Sequence, residues 1–558
     1  MDMTALDLPQ EVSVTVRGQS FSTSRGTRVK TFLRRYFPEE EPDCLGAIVN
    51  NRLVHIEAPI ADSCELTPVT YADSHGVRIY RSTLSIMLGE AVARLFPGAE
   101  LRIGQSFGRS FYYDVIKDGG LSSEELAALE AEMRAMVSRN EALHVERVPH
   151  RTAVRMFTQA GRHHAAGLLK VVVRKWVPLV SMGKRFELCL NTVAPTAGSI
   201  RQFRLDPLGP GLVVNIPRRG RVENEPEPVS CPPSLYKSFR ETRRWNSLVG
   251  IESISDLNNA IVDGSVGEVI RVSEALHERK LAAIADEIAM RGARLVAVAG
   301  PSSSGKTTTI RRLSMQLKAL GLKPKSISLD DYYKNRADTP LDESGEYDFE
   351  HIEAIDLDLL NEHLQALLAG RTIQAPTFSF QSGMRNSVTT PMSLGKNEIL
   401  LVEGIHGLND RLTRAVPDDA KFRVFCSAVT QLCIDDQHRV FTTDIRLIRR
   451  IVRDRHFRGY SATDTLRLWP RVRAGEKKWI FPWQDRADVF FNSALVYEPA
   501  VLKMFAERFL IEVSDDDPVW VEAERLLKLL RFFVPVFTDD VPGTSIIREF
   551  VGESSFRY

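Results

Sequence analysis

A multidomain α/β fold is predicted, centred on a parallel sheet with helices on both faces and preceded by a small β-rich unit and an α+β unit. Three observations point that way. From residue 294 onward, strand-like apolar runs alternate with helical periods, as in a sheet of parallel strands joined by crossover helices. Within that stretch, Leu295-Val296-Ala297-Val298-Ala299 runs directly into Gly300-Pro-Ser-Ser-Ser-Gly-Lys-Thr-Thr308, and an amphipathic helix follows at 308–320. The chain has 558 residues, too many for one hydrophobic core, so about three or four domains are expected.

The elements follow in order. Alternation in Val12-Ser-Val-Thr-Val16 gives a strand, 27–37 suits a short helix, and Leu45-Gly-Ala-Ile-Val49 before Asn50-Asn51 reads as strand and turn. Helical spacing over 84–96 should stop at Pro97-Gly98. A second helix over 122–138 opens with Ser122 and Glu125, a pair able to satisfy each other's backbone N–H groups. Residues 207–233, rich in Pro, Gly, Arg and Glu, read as a boundary or linker. A long helix at about 269–291 leads into the sheet domain, and another occupies 519–533. These readings divide the chain at 1–72, 73–215, a linker and helix at 216–285, the sheet domain at 286–505 and a C-terminal extension at 506–558.

Residues 300–308 satisfy G-x-x-x-x-G-K-[ST], a loop whose backbone N–H groups wrap phosphates at the positive end of a helix. Gly300 and Gly305 permit the backbone path, Ser302, Ser303 and Ser304 supply N–H groups together with Thr308, Lys306 reaches the β- and γ-phosphates, and Thr307 offers a hydroxyl to Mg²⁺. A bound nucleoside triphosphate follows, and the loop does not distinguish ATP from GTP. A phosphotransferase also needs a metal-holding carboxylate, a group for the acceptor hydroxyl and cations for developing charge. Ser326-Ile-Ser-Leu-Asp330-Asp331 reads as a second strand that brings Asp330 to the carboxyl edge of the sheet, as a catalytic acid-base rather than a turn former. Glu403 ends the buried strand Glu398-Ile-Leu-Leu-Val402, a position suited to Mg²⁺ or its water. Arg446, Arg449, Arg450 and Arg453 lie at i, i+3, i+4 and i+7, with Arg458 just beyond: a phosphate-gripping lid, or a solvated face paired with Asp444 and Asp454. Arg467, Arg471, Arg473, Lys477 and Lys478 extend the basic character and could serve RNA.

Composition excludes some classes. A net charge of +1 leaves no global field for nucleic acid, so any such contact needs a local patch. Six cysteines without C-x-x-C spacing give no zinc or disulfide framework and fit a reducing compartment. With no long apolar run and no basic-then-apolar start, a cytoplasmic protein without membrane contact is expected.

Together with Tyr347-Asp-Phe-Glu-His351, Pro376-Thr-Phe-Ser-Phe380, Val402-Glu-Gly404 and the run from Arg446 to Gly459, these motifs make residues 294–500 similar to the uridine kinase and phosphoribulokinase family of P-loop kinases. The resemblance implies ATP and Mg²⁺, with Asp330 as base for an acceptor 5′-hydroxyl and Lys306 and Arg453 as catalytic cations. It also implies Arg450 and Arg458 on the nucleotide phosphates, Thr307, Glu403 and Asp330 around the metal, and Tyr333, Glu350, Phe378 and Arg385 at the acceptor. Uridine kinases carry Asp where Glu350 stands, and Tyr and His where Phe378 and Gly383 stand. A site that lacks its hydrogen-bonding groups discriminates poorly for its original substrate, so a hydroxyl of some small molecule is implied and a pyrimidine nucleoside is not.

Residues 11–205 resemble the amino-terminal region of threonyl-tRNA synthetase: first its TGS domain, β-grasp-like, then its second additional domain. The carrying segments are Leu95-Phe-Pro-Gly-Ala99, Ile103-Gly-Gln-Ser-Phe-Gly-Arg-Ser-Phe-Tyr-Tyr-Asp114 and Leu188-Cys189. That family's H-x-x-x-H and C-x-x-x-H pairs read here Arg81 and Ser85, and Cys189 and Val193, so neither metal binding nor editing hydrolysis is expected. His144, His150, His163 and His164 do not restore the spacing and read as surface or satisfied core histidines. The combined expectation is an ATP-dependent kinase of the uridine kinase type, homo-oligomeric or not, whose silent N-terminal module contacts RNA, a ligand or the kinase itself. Two alternatives stand beside it: a nucleotide-gated RNA-binding regulator, and a sugar or sugar-phosphate kinase.

Overall fold

A computed structural model describes residues 9–228, 233–343, 345–379 and 382–557; Cys231, Phe380 and the first residues read above lie outside the described residues. The N-terminal unit is a five-stranded mixed sheet in the order Gln19–Ser24, Glu11–Val16, Cys64–Val69, Gly46–Val49, Arg52–His55. Its helix, Val29–Tyr36, buries Val29, Phe32 and Leu33 against it. Asn50 and Asn51 turn the hairpin with φ of 46° and 56°, a left-handed pair that Asn tolerates.

The second unit sets helix Ser74–Leu95, longer at its start than the spacing predicts, beside a four-stranded sheet. Helix Ser123–Ser138 has the expected cap: Ser122 Oγ accepts from Glu125 N–H and the Glu125 carboxylate accepts from Ser122 N–H. The expected linker begins inside this sheet. Strands Arg204–Leu208 and Gly211–Asn215 form a hairpin, in which Pro207 is tolerated on the edge strand and Gly211–Asn215 is wholly buried. Nor is 216–285 a linker with one helix: Pro233–Val249, Ile254–Val262 and Val266–Arg291 are three packed helices, whose Ile254, Leu257, Ile270 and Leu281 are fully buried.

The sheet domain has the strand order Lys323–Ser328, Glu398–Glu403, Leu295–Ala299, Lys421–Ser427, Val489–Asn492, every pair parallel. Its central strand Leu295–Ala299 is buried at all five positions, which explains an unbroken apolar run rather than alternation. The C-terminal extension is part of this domain. Helix Glu498–Ile511 crosses the expected boundary at 505 and packs on Trp520–Leu530, while Ile546, Ile547 and Phe550 are fully buried.

The two halves share structure. Strand Glu100–Phe107 is the edge of its sheet, and its ladder is irregular between Ile103 and Ser106. That edge is covered by the sheet domain: Ile103 N donates to Asp436 O (2.9 Å), Gln105 Nε2 to Thr430 O (2.6 Å), and Arg439 to Gly104 O (2.9 Å). One continuous apolar core contains Phe157 and Leu188 as well as Ile310, Phe422 and Ile448. Among the described residues no helix is long and apolar enough to cross a membrane.

Candidate active site

The loop 300–308 leaves the central strand and opens into helix Lys306–Ala319. Gly300 is required by space, since an added Cβ would stand 1.9 Å from Cys426 O. Gly305, at φ +81°, and Ser303, at φ 57°, carry the left-handed turns. Three loop carbonyls are held from behind: Ser302 O accepts from Arg446 Nε (3.0 Å), Ser303 O from Arg449 (3.4 Å) and Ser304 O from Ser493 Oγ (2.5 Å). In a trans peptide each carbonyl points opposite to the next N–H, so the N–H groups of Ser303 and Gly305 are turned away from these supports, while Ser304 N–H donates to Pro301 O (3.3 Å). Lys306 Nζ hooks back to Pro301 O at 3.1 Å.

The arginine stripe does not act as one lid. Arg446 and Arg449 are 1 % and 0 % exposed and form the loop's rear support. Arg446 is paired with Glu476, whose carboxylate also accepts from Ser302 N–H; Arg449 Nε donates to Glu498 at 2.9 Å. Burial pulls the Arg446 guanidinium down and the Glu498 carboxyl up, as the cost of desolvating both charges requires. The other three face the site and are gathered by Asp454, which pairs with Arg450 (3.1 Å), Arg453 (2.8 Å) and Arg458 (3.8 Å). Arg450 also donates to Ser302 Oγ at 2.9 Å. The helix continues there as a wide π-helical turn, Asp454–Arg458. Asp444 is absorbed elsewhere, by Arg525. The further basic run is largely paired too: Arg467 with Asp517, Arg473 with Glu476, Arg471 3.6 Å from Glu346.

Strand Lys323–Ser328 ends in a 3₁₀ turn, Leu329–Tyr332, that delivers Asp330. Burial raises the Asp330 carboxyl above its ordinary range, and the charges of Lys306, Arg458 and Arg453 oppose the rise. Asp330 therefore lies within electrostatic reach of Lys306, Arg453 and Arg458. Glu403 closes the floor: burial and the Asp330 charge push its carboxyl up to about 7. Thr307 Oγ1 and Ser328 Oγ each approach Glu403 Oε1 only at 3.4 Å. A buried carboxylate held this loosely, beside one hydroxyl and a second carboxylate, fits a hard divalent cation whose remaining ligands are phosphate oxygens and water. Among the described residues no cluster of three or more His, Cys, Asp or Glu side chains could hold a metal without such help.

Where the acceptor is expected, burial first and then the Glu476 charge push Glu350 up to about 7; its Oε2 is buried without a hydrogen-bond partner among the described residues. Gly475 allows this approach, because a Cβ there would stand 2.4 Å from Glu350 Cβ. Tyr333 donates to Phe349 O at 3.1 Å, and its ring lies 5.8 Å from that of Phe378. Arg385 is committed to the framework, donating to Tyr333 O and Tyr332 O (3.0 Å each) and pairing with Asp356 at 3.1 Å, so it shapes the pocket wall through Tyr333. Gly383 has φ +68°, a conformation that side chains disfavour, and abuts the Arg336 side chain. Arg81, Ser85 and Cys189 lie far along the chain in the second unit: Ser85 accepts from Tyr113 (2.7 Å), and Val193 is core. His150 is bonded to Leu169 O (2.7 Å) and His164 to Asp436 (2.6 Å), while His144 is exposed.

Two neighbours of the site were not expected. His406 is 1 % exposed, and burial holds its imidazole neutral, down to about 4. Glu549, 241 residues from the loop, accepts from Thr308 N–H (3.1 Å) and Thr308 Oγ1 (2.6 Å). Neighbouring Ile546 lies against Gly305, and Phe550 beneath the Arg449 guanidinium, 5.1 Å from ring centre to Cζ.

Residues 295–497 match the model of the phosphoribulokinase / uridine kinase family. Over the N-terminal region the chain is similar to threonine–tRNA ligases: 29% identical over 182 residues to that of Symbiobacterium thermophilum, covering 32% of this chain and 28% of the relative. It is 28% identical over 188 residues to that of Rubrobacter xylanophilus, covering 34% and 29%. The chain thus spans under a third of the length of these relatives. Among solved structures, one described as a "Possible Uridine Kinase from Bacillus stearothermophilus" is 19% identical with a TM-score of 0.25, covering 36% of this chain and 89% of its own. A D-glycerate 3-kinase from Cryptococcus neoformans is 17% identical with a TM-score of 0.22, covering 47% and 89%.

Proposed function

With a P-loop kinase domain of the phosphoribulokinase / uridine kinase family at 295–497, behind a region similar to threonine–tRNA ligase, we propose that the chain is an ATP-dependent phosphotransferase that phosphorylates a hydroxyl of a nucleoside or related small molecule. The observation that carries the reading is the convergence of Asp330 with Lys306, Arg453 and Arg458 next to the Thr307–Glu403 pair. A nucleotide switch has no use for a buried base on the acceptor side.

In this reading the loop N–H groups and Lys306 hold the β- and γ-phosphates. Asp330 takes the proton of the acceptor hydroxyl as its oxygen bonds to the γ-phosphorus, and the bond from that phosphorus to the β–γ bridging oxygen breaks to release ADP. A carboxyl already raised by burial holds a proton better than an exposed one. Arg453 and Arg458, gathered by the shared Asp454, balance charge on the transferring group. Mg²⁺, held at Thr307 and Glu403, would neutralise the phosphate oxygens when bound. Glu350 and the Tyr333–Phe378 wall would hold the acceptor, the carboxylate taking hydroxyl donors and the rings its flat face. RNA contact by the N-terminal region and a cytoplasmic location remain part of the proposal.

Labelled ATP should be offered with nucleosides, sugars and sugar phosphates, to the protein and to Asp330→Asn. Label should pass to a nucleoside and be lost in the variant. Label on sugars alone would move the acceptor class. RNA-stimulated ATP hydrolysis that persists in Asp330→Asn, with no acceptor labelled by either protein, would overturn the kinase reading.

A further inference from the structure

Between the second unit and the sheet domain lies a cavity of about 110 Å³ that the phosphoryl-transfer site does not use. Helix Ser74–Leu95 contributes Arg81, Ser82 and Ser85, and the segment before helix Thr442–Arg453 contributes Gln437 and Arg439. Its other cations are matched: Arg525 by Asp444 and Glu522, His438 by Asp435, Lys528 by Glu524. Arg81 and Arg439 have no ion-pair partner among the described residues: the Asp444 carboxylate also lines the cavity and acts on Arg439 from a distance, but its hydrogen bonds go to Arg525 (2.6 and 2.9 Å).

Arg81 donates to Arg109 O (2.6 Å) and lies over the Phe111 ring; Arg439 donates to Gly104 O (2.9 Å) and Gln105 Oε1 (2.7 Å) and lies over the Phe441 ring. All these acceptors are neutral, and the Nε of each guanidinium is buried without a hydrogen-bond partner among the described residues. Arg439 is 7 % exposed. Burial pulls both guanidinium groups down to about 10, and the Arg81 charge adds to the effect on Arg439. Two like charges lining one cavity with unused donors are stabilised by an anion. The cavity also holds an unused acceptor: Gln437, 3 % exposed, has Oε1 buried without a hydrogen-bond partner among the described residues. An occupant that satisfies all three brings acceptor oxygens and one hydrogen-bond donor. The space at the site, about 110 Å³, suits a small occupant.

We propose that this cavity binds a small oxyanion that carries a hydroxyl group, its oxygens on Arg81 and Arg439 and its hydroxyl on Gln437. Hydrogen phosphate and a short hydroxy acid share that chemistry. The inference stands independently of the kinase reading.

The test is calorimetric titration of the full chain carrying Lys306→Ala, which removes the loop lysine as a rival for phosphate. Four probes are compared: inorganic phosphate, lactate, and the hydroxyl-free sulfate and propionate. Saturable heat from phosphate or lactate, several-fold weaker with its hydroxyl-free counterpart and at least tenfold weaker in Arg81→Met and Arg439→Met, is expected. Phosphate alone, or lactate alone, identifies which source fits. Because Arg439 also braces Gly104, Ser82→Leu serves as a second variant: it fills the cavity, leaves both guanidinium groups in place and should abolish the heat. No saturable heat in the millimolar range, or heat unchanged in Arg81→Met and Ser82→Leu, would overturn the proposal.

Discussion

Replacing Glu549 with Gln should tighten ATP binding about 5- to 30-fold. Thr308 N–H is one of the donors that the first turn of helix Lys306–Ala319 leaves without an intrahelical partner, and such a helix start attracts anions. Glu549 occupies it with a carboxylate, through bonds of 3.1 and 2.6 Å. The carboxylate is thus an internal competitor for a phosphate at the same donors. Hydrogen bonds to a charged group contribute about 1.5–3 kcal/mol and neutral ones about half that. Gln keeps an acceptor oxygen and loses the charge, which weakens the competitor by about 1–2 kcal/mol, a factor of about 5–30 in apparent affinity. Equilibrium titration with a non-hydrolysable ATP analogue reads this directly, and a melting curve on the same sample checks that the buried Ile546 and Phe550 stay packed. Unchanged or weaker binding in a well-folded Glu549→Gln would refute the competition and leave Glu549 as a plain helix cap.

Three further outcomes follow. The Glu403 carboxyl titrates near 7 when folded and near 4.5 when unfolded, so its contribution to ligand-free stability is fully present below about pH 4.5 and lost as pH rises to about 7. Binding of Mg²⁺ with nucleotide at pH 6 should therefore release close to one proton more than at pH 8.5, measured by calorimetry in buffers of different ionisation heat, and Glu403→Gln should abolish the difference. Arg449→Met leaves Glu498 buried and unpaired and should cost about 3–5 kcal/mol in denaturant unfolding, most of it recovered by adding Glu498→Leu. Asp330→Asn removes a buried charge and should raise the melting temperature by about 1–3 °C at pH 8 while eliminating transfer, so a lower melting temperature would contradict the burial argument.

The nucleotide side was legible because local chemistry dictates it: an unbroken apolar strand, two glycines and a lysine can be recognised within fifteen residues. Asp330 and Glu403 were legible as acids at strand ends, although only Glu403 ends a buried strand and Asp330 sits in the turn after an edge strand. The arginine stripe was only half legible. Helical spacing places Arg446, Arg449, Arg450 and Arg453 together, yet the inward turn of Arg446 and Arg449 depends on Glu476 and Glu498, which arrive from separate segments. Pro207 misled because proline and glycine punctuate edge hairpins as readily as linkers. Glu549 had no local signal at all: a short Ile-Ile-Arg-Glu-Phe segment acquires meaning only when the chain folds it over Gly305.

The core that unites Phe157 and Leu188 with Ile310, Phe422 and Ile448 bears on how such a chain can change over generations. Segments similar to two separate families here share one core. The edge strand around Gly104 and Gln105 is completed by Thr430, Asp436 and Arg439, so a substitution on one side is judged by residues on the other. A transplanted relative of either segment would arrive with the wrong facing surface, and grafting it would require rewriting both flanks together.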